Sequence, residues 1–118
     1  MVAPIELPVI TLREAMAEKL RAALTRRNPA IRDLYDLDYA VRNLDLQLND
    51  EDLITLVREK LAVPGNPSPE FGPERLAEFR GQVNQRLKPV LRDQDFAAFD
   101  LERISNQLLR MAARLASP

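Results

Sequence analysis

The sequence contains no cysteine and no histidine, and it has only three glycines among its 118 residues. The absence of cysteine excludes disulfides, thiolate metal ligands and a cysteine nucleophile. The absence of histidine removes the commonest general base and the commonest metal ligand. Any catalysis by this chain must therefore use carboxylates, lysine, arginine, tyrosine or hydroxyl groups.

Charge and hydrophobicity argue against a protein that coats nucleic acid, spans a membrane or carries a secretory signal. The 17 basic and 18 acidic side chains leave a net charge of -1, unlike a protein that covers a nucleic-acid backbone with positive charge. No stretch approaches the roughly 18 uncharged apolar residues that a membrane span needs. Residues 1–11 lack the basic segment that precedes the apolar run of a secretory signal. We therefore expect a cytoplasmic protein with one domain over residues 1–118.

The first ten residues predict an extended segment. Pro4 and Pro8 exclude a helix, while the Val, Ile and Leu residues around them favour an edge strand or an extended arm. A lone strand is not stable by itself, and no second convincing strand follows. This arm over residues 1–10 therefore has no obvious partner within the chain.

Helical signals dominate the remainder. Thr11 and Glu14 form a capping box at the start of the first helix, and Asn28-Pro29 ends it, with Arg26 and Arg27 expected in its last turn. The predicted fold class is mostly α, a small bundle of about five helices preceded by one extended arm or edge strand. Three helices are predicted within 11–62 (to residue 27, 30–43 and about 50–62), then a Pro- and Gly-rich loop over 63–72, then two helices within 73–118 (73–87 and about 95–116).

Lys19 lies in an unusual position on the first helix. At about 100° per residue it falls within the apolar stripe that includes Leu12, Met16 and Leu20. Because burial of an unpaired ammonium is costly, two interpretations remain. The stem of Lys19 could pack on the stripe while its head reaches water, or the ammonium could face a cleft and meet a phosphate or a carboxylate there.

The second helix carries carboxylates in a matching position. Asp33 and Asp36 are three residues apart and therefore neighbours on one surface, and Asp33 and Asp38 intrude on the apolar arc of this helix. A short Asn-Pro-Ala turn would bring Lys19 close to Asp33 or Asp36. The nearby cations that could balance these acids are Lys19, Arg26, Arg27 and Arg32. A structural ion pair between the two helices and a ligand site both remain open.

No metal site is assigned. Asp36 and Asp38 are two apart on a helix, where such residues point in different directions. Asp93 and Asp95 are predicted to lie in a polar loop with an N-cap, before the last helix.

A resemblance to a known family gives these residues a further meaning. The stretch 18–24, then Arg26, then the stretch 31–37 resemble the C-terminal signature of AbiEii/AbiGii-type nucleotidyltransferases. These are DNA-polymerase-beta-like enzymes, and many are toxins of bacterial toxin–antitoxin and phage-abortive-infection systems. The signature covers about 25 residues. Lys19 resembles the lysine that contacts nucleotide phosphates, and Asp33 the late acidic residue needed for activity. Arg26, Arg32 and Asp36 resemble supporting positions.

The resemblance also implies that part of the enzyme lies outside these residues. The family's catalytic core has a Gly-Ser turn followed by an Asp-x-Asp pair that holds magnesium, and neither motif occurs here. The arm over residues 1–10 resembles the last strand of that core's sheet. The nucleoside triphosphate and magnesium implied for the complete enzyme thus need a core that another chain supplies. We expect the present residues alone to be inactive, as a dissected C-terminal part, a split-gene product or a remnant kept for binding.

Two functions follow as hypotheses. In the first, the chain is the helical C-terminal part of such a nucleotidyltransferase, and it binds nucleotide once the core is supplied. In the second, it is a non-enzymatic interaction module that forms a homodimer or binds a partner protein through residues 1–10. A nucleic-acid interface is the weakest alternative, because acidic residues offset the arginines of the first and last helices.

Overall fold

The computed structural model describes residues 11–116, and this part of the chain is a helical bundle without β-strands. The predicted fold class is therefore confirmed, while the arm over residues 1–10 lies outside the described residues. The described elements are α1 (Leu12–Thr25), α2 (Ile31–Asn43), α3 (Glu51–Leu61), α4 (Pro73–Gln82), a π-helical turn (Val83–Leu87), α5 (Asp93–Ala98) and α6 (Leu101–Ala116).

Capping side chains fix the starts of α1 and α3. The Glu14 backbone N–H donates to the Thr11 hydroxyl oxygen over 3.1 Å, and the Asp50 carboxylate accepts from the Asp52 backbone N–H. The helix α1 ends at Thr25, because Arg26 is already extended (φ -61°, ψ 136°) ahead of the Asn-Pro turn. Arg26 and Arg27 therefore follow the last turn of α1, rather than lying in it as predicted.

The C-terminal region differs from the predicted single helix over 95–116. Asp93 is already in the first turn of α5, and the helix breaks after Ala98. Phe99 is extended, and its ring centroid lies 5.9 Å from that of Tyr35 on α2. The Asp100 carboxylate accepts from the Arg103 backbone N–H over 3.1 Å and so caps α6. Two apolar segments in helical phase thus form two helices, joined at an aromatic contact.

The helix α1 lies at the centre of the bundle. It packs against α2 and α3 and also contacts α6. Its residues Ala17, Leu20, Ala23 and Leu24 are fully buried. The core continues through all the neighbouring helices, with the largest fully buried side chains Phe79, Ile31, Leu34, Leu37, Leu53, Ile54, Leu87, Ile104, Leu108 and Val57.

The predicted loop over 63–72 is irregular but tied to the helices at both ends. Asn66 donates to the carbonyl oxygens of Lys60 and Val63, and the Glu70 backbone N–H donates to the Leu24 oxygen over 3.0 Å. Phe71 is buried and stacks on Phe79 with ring centroids 5.8 Å apart. These contacts place α4 beside the end of α1. Between residues 11 and 116, none of the helices has the length and apolar character needed to cross a membrane.

Candidate functional site

The ammonium of Lys19 faces the acids of α2. Its Nζ lies 2.8 Å from Asp36 Oδ2 and 3.7 Å from Asp33 Oδ1, and its side chain is 31% exposed. The short turn after α1 brings α2 back along it, as the Asn-Pro-Ala segment predicts. Lys19 therefore packs its stem within the apolar stripe and joins two helices through its head.

Two arginines extend this contact into a network. Arg26 Nη1 lies 3.9 Å from Asp33 Oδ2, and Arg32 Nε lies 3.6 Å from Asp36 Oδ1. We call the set Lys19, Arg26, Arg32, Asp33 and Asp36 the Lys19 network. All five residues singled out from the sequence are thus brought together, with three cations around two carboxylates, while their roles in a reaction stay a prediction.

Asp33 is the more buried of the two acids. Its side chain is 15% exposed, against 26% for Asp36. Burial raises the pKa of Asp33, against the opposing effects of Lys19 and Arg26, and the neighbouring Asp36 raises it further. Within the described residues its Oδ2 is buried and accepts no hydrogen bond. Asp33 therefore carries an acceptor atom that the bundle itself leaves unsatisfied.

Gln82 of α4 fixes the turn between α1 and α2. The helix α2 begins after Ala30, which has no side chain that could cap it. Instead the Ile31 backbone N–H donates to Gln82 Oε1 over 2.9 Å, and Gln82 Nε2 donates to the Pro29 oxygen over 2.8 Å. Gln82 is more than 50 residues from its partners in sequence, so nothing in the local pattern signalled this contact.

Arg75, also on α4, holds the other side of the same turn. Its guanidinium donates to the carbonyl oxygens of Arg26 over 2.7 Å and of Ala23 over 3.3 Å, and its side chain is only 12% exposed. These carbonyls belong to the end of α1, where the last turn of a helix lacks partners of its own. The helix α4 thus sets how α1 and α2, and with them the Lys19 network, are placed.

Asp38 has a different role from the acids of the Lys19 network. It is fully buried, and Arg103 of α6 donates to both of its carboxylate oxygens, over 2.9 and 3.1 Å. Arg42 donates to Oδ2 over 2.9 Å. The intrusion of Asp38 on the apolar arc is therefore explained by a buried ion pair between α2 and α6.

The Lys19 network lies at a partly exposed junction between α1 and α2. Its main residues Lys19, Asp33 and Asp36 line none of the three main cavities of the described part. Arg32 lines a cavity of about 560 Å³ together with Gln82 and Arg86.

The cations of the Lys19 network outnumber its carboxylates, and both carboxylates are already engaged. Within residues 11–116 no group of three or more acidic side chains could hold a metal, and Lys19 already engages both Asp33 and Asp36. Three cations around two carboxylates leave one excess positive charge in the network.

Residues 11–116 thus form a helical bundle in which the hairpin of α1 and α2 carries the Lys19 network. A family model described as "Nucleotidyl transferase AbiEii toxin, Type IV TA system" matches residues 2–113. The chain belongs to this AbiEii nucleotidyl transferase toxin family, which confirms the predicted resemblance and extends it over most of the sequence. None of the curated proteins and none of the solved structures gives a match.

Proposed function

We propose that this chain supplies Lys19 and Asp33 to the active site of a nucleotidyltransferase toxin whose metal-binding core lies outside these 118 residues. The observation that carries the proposal is the Lys19 ammonium, set within an apolar stripe and shared between Asp33 and Asp36 across the α1–α2 junction. Membership of the AbiEii family supports a role of this arrangement in nucleotidyl transfer.

Lys19 acts on the phosphates in this proposal. Nucleotidyl transfer breaks the bond between the α- and β-phosphates, so negative charge grows on the leaving pyrophosphate. An ammonium with three donors that is already oriented by two carboxylates stabilises that charge without reorganising. Arg26 and Arg32 flank Lys19 and add to the positive potential of the junction.

Asp33 orients Lys19 and offers a free acceptor. Its Oδ1 lies toward the ammonium, while its buried Oδ2 accepts no hydrogen bond within the described residues. That oxygen lies 3.9 Å from Arg26 Nη1, so Asp33 also holds a second cation of the network. Asp36 holds Lys19 from the other side, at 2.8 Å.

In this proposal, magnesium is held by a core that lies outside these 118 residues. When bound by an Asp-x-Asp pair of the core, it would neutralise phosphate charge during transfer. The residues of the Lys19 network would then bind and orient the phosphates of the nucleotide. We expect the 118 residues by themselves to transfer no nucleotide.

The experiment compares two cations of α1 that both pair with another helix. Lys19 pairs with α2, whereas Arg13 pairs with Asp50 at the start of α3, over 3.2 Å. The variants Lys19→Gln and Arg13→Gln are made in the protein completed with a core that carries the Gly-Ser and Asp-x-Asp motifs. Transfer of labelled nucleotide and the free energy of unfolding are both measured.

We expect Lys19→Gln to lower kcat/KM by about 10²- to 10³-fold, since it removes a preorganised charge at the phosphates. Arg13→Gln should change it by less than about twofold, and both should cost at most about 1 kcal/mol of stability. If Lys19→Gln kept full activity and lost only stability, Lys19 would have a purely structural role in an ion pair, and the proposal would be wrong.

A non-enzymatic interaction module is the second candidate. It is favoured by the exposed side chains of Leu12 and Leu44, which line the same cavity of about 630 Å³ beside the start of the described chain. A homodimer or a partner protein could bind there through residues 1–10. A monomer by analytical ultracentrifugation, unchanged by Leu44→Asp, would argue against association at this surface.

A further inference from the structure

A second cavity, unrelated to the Lys19 network, lies between α2, α6 and the connection that joins α2 to α3. It has a volume of about 280 Å³, close to the lower limit for small-molecule pockets. Its apolar floor is formed by Val41, Leu46, Leu48 and Met111. The last three are at most 8% exposed, so the floor belongs to the core of the bundle.

The mouth of this cavity is polar and positive. Its polar lining residues are Gln47, Asn49, Gln107, Arg110 and Arg114, and no acidic residue is among them. Arg114 donates to the Asn49 oxygen and pairs with Glu51, so its charge is already balanced. Within the described part of the chain, the Arg110 guanidinium makes neither an ion pair nor a hydrogen bond. One uncompensated positive charge therefore stands at the opening of an apolar cavity.

The wall formed by the α2–α3 connection is held in place. Asp45 adopts a left-handed conformation (φ 58°) directly after α2, and the Leu46 backbone N–H then donates to the Ala40 oxygen over 3.1 Å. The Asp50 backbone N–H donates to the Gln47 oxygen over 3.2 Å. A cavity whose wall is already ordered binds a ligand with a smaller entropic cost.

We propose that this cavity binds a small monoanion with a short apolar body, namely a carboxylate whose charged end meets Arg110. The apolar floor accepts the hydrocarbon part, and a guanidinium fork suits the two oxygens of a carboxylate. A single free cation matches one negative charge better than the two charges of a phosphomonoester. The site shares no residue with the Lys19 network, so it is independent of the proposed transfer reaction.

The test uses three probes with the same body and different charge: hexanoate, 1-hexanol and hexylammonium. Binding to the 118-residue chain is followed by the backbone amide signals of Leu46, Leu48 and Met111 in NMR titrations. We expect saturable shifts with hexanoate, about tenfold weaker binding of hexanol, and no binding of hexylammonium, because a charge-assisted hydrogen bond distinguishes the three.

Two variants and a control link the affinity to the mouth of the cavity. Arg110→Gln should weaken hexanoate binding about tenfold, and Gln107→Glu should weaken it similarly by repulsion while improving hexylammonium binding. Arg80→Gln, an exposed arginine of α4 paired with Glu102, should leave the affinity unchanged. Equal binding of the three probes, equal binding by Arg110→Gln, or no shift at the cavity residues would overturn the proposal.

Discussion

At the scale of single residues, the charged side chains that interrupt apolar faces identify the important contacts of this bundle. Lys19 interrupts the stripe of α1, and Asp33 and Asp38 interrupt the arc of α2. The first two meet each other, and Asp38 meets Arg103 of α6. Burial of a charge is tolerated only when a partner compensates it, so each such residue implies a second residue nearby.

The raised pKa of Asp33 predicts a specific pH dependence of stability. The folded protein keeps the Asp33 proton at pH values where the unfolded chain, with a pKa near 3.8, has lost it. The contribution of Asp33 to the free energy of unfolding is therefore fully present below pH 3.8 and decreases as the pH rises through the folded-state pKa. We expect Asp33→Asn to gain stability relative to the unmodified protein between about pH 4 and pH 7.

Urea unfolding at several pH values in this range measures that difference. The comparison is the change with pH, since the substitution also removes a partner of Lys19 and shifts the absolute stability. A stability difference between Asp33→Asn and the unmodified protein that stays constant with pH would contradict the prediction.

Asp38 and Glu102 provide a contrast between a buried and an exposed ion pair. Asp38→Asn leaves the guanidinium groups of Arg103 and Arg42 without their buried acid, and we expect a loss of about 3 kcal/mol in the free energy of unfolding. Glu102→Gln removes the exposed partner of Arg80, and its cost should stay below about 1 kcal/mol. Equal losses in urea unfolding would show that the Asp38 contact is no stronger than a surface pair.

At the scale of elements, the residues that start and end a helix are local signals in the sequence. The predicted helix bounds are wrong where contacts between distant residues determine the backbone conformation. The meeting of Lys19 with Asp33 and Asp36 was predictable, because a short turn joins their helices. The break at Phe99 was not, because apolar residues on both sides keep helical phase while Phe99 is drawn to Tyr35. A possible signal was Asp100, a residue type that favours the position before a helix.

The contacts of α4 with the turn between α1 and α2 could not be predicted from the local sequence either. Gln82 and Arg75 donate to or accept from backbone groups some 50 residues away in sequence. The sequence around a glutamine that caps a distant helix does not differ from that around an exposed glutamine. Only the packing of α4 beside α1, fixed by Phe71 and Glu70, makes the contacts possible. The five residues of the Lys19 network could thus be singled out from the sequence, but the helix that positions them could not.

A substitution of Gln82 measures how much these contacts of α4 contribute to the free energy of unfolding. We expect Gln82→Leu to lower the free energy of unfolding by about 1 to 3 kcal/mol, since it leaves the Ile31 N–H and the Pro29 oxygen without partners. Gln85→Leu, an exposed glutamine in the neighbouring π-helical turn, is the matched control and should cost less than about 0.5 kcal/mol. Hydrogen exchange at the Ile31 amide should become faster in Gln82→Leu, because that amide loses its acceptor. Unchanged protection of the Ile31 amide would contradict the predicted capping role of Gln82.

At the scale of the whole molecule, a single core connects the helices on both sides of the 63–72 loop. Phe79, Leu87, Ile104 and Leu108 pack in the same cluster as Leu20 and the other buried residues of α1 to α3. The division of the chain into one domain stays a prediction, and this shared core is the physical reason to expect cooperative unfolding.

The two tyrosines make that expectation testable. Both Tyr35 and Tyr39 lie on α2, and the sequence has no tryptophan, so fluorescence reports one helix while circular dichroism reports all of them. We expect coincident midpoints in urea for the two signals. Separate transitions would mean that residues 73–116 unfold independently of the first three helices.

The closeness of Lys19 to Asp36 has a practical chemical consequence. A primary amine lies 2.8 Å from a carboxylate oxygen, and both groups remain partly exposed to reagents. A carbodiimide, which activates carboxylates and leaves no spacer, would convert this ionic contact into an amide bond. The hairpin of α1 and α2 would then be covalently closed at the ammonium that we propose contacts phosphate. Mass spectrometry of the linked peptides would report this contact in any larger assembly containing the chain.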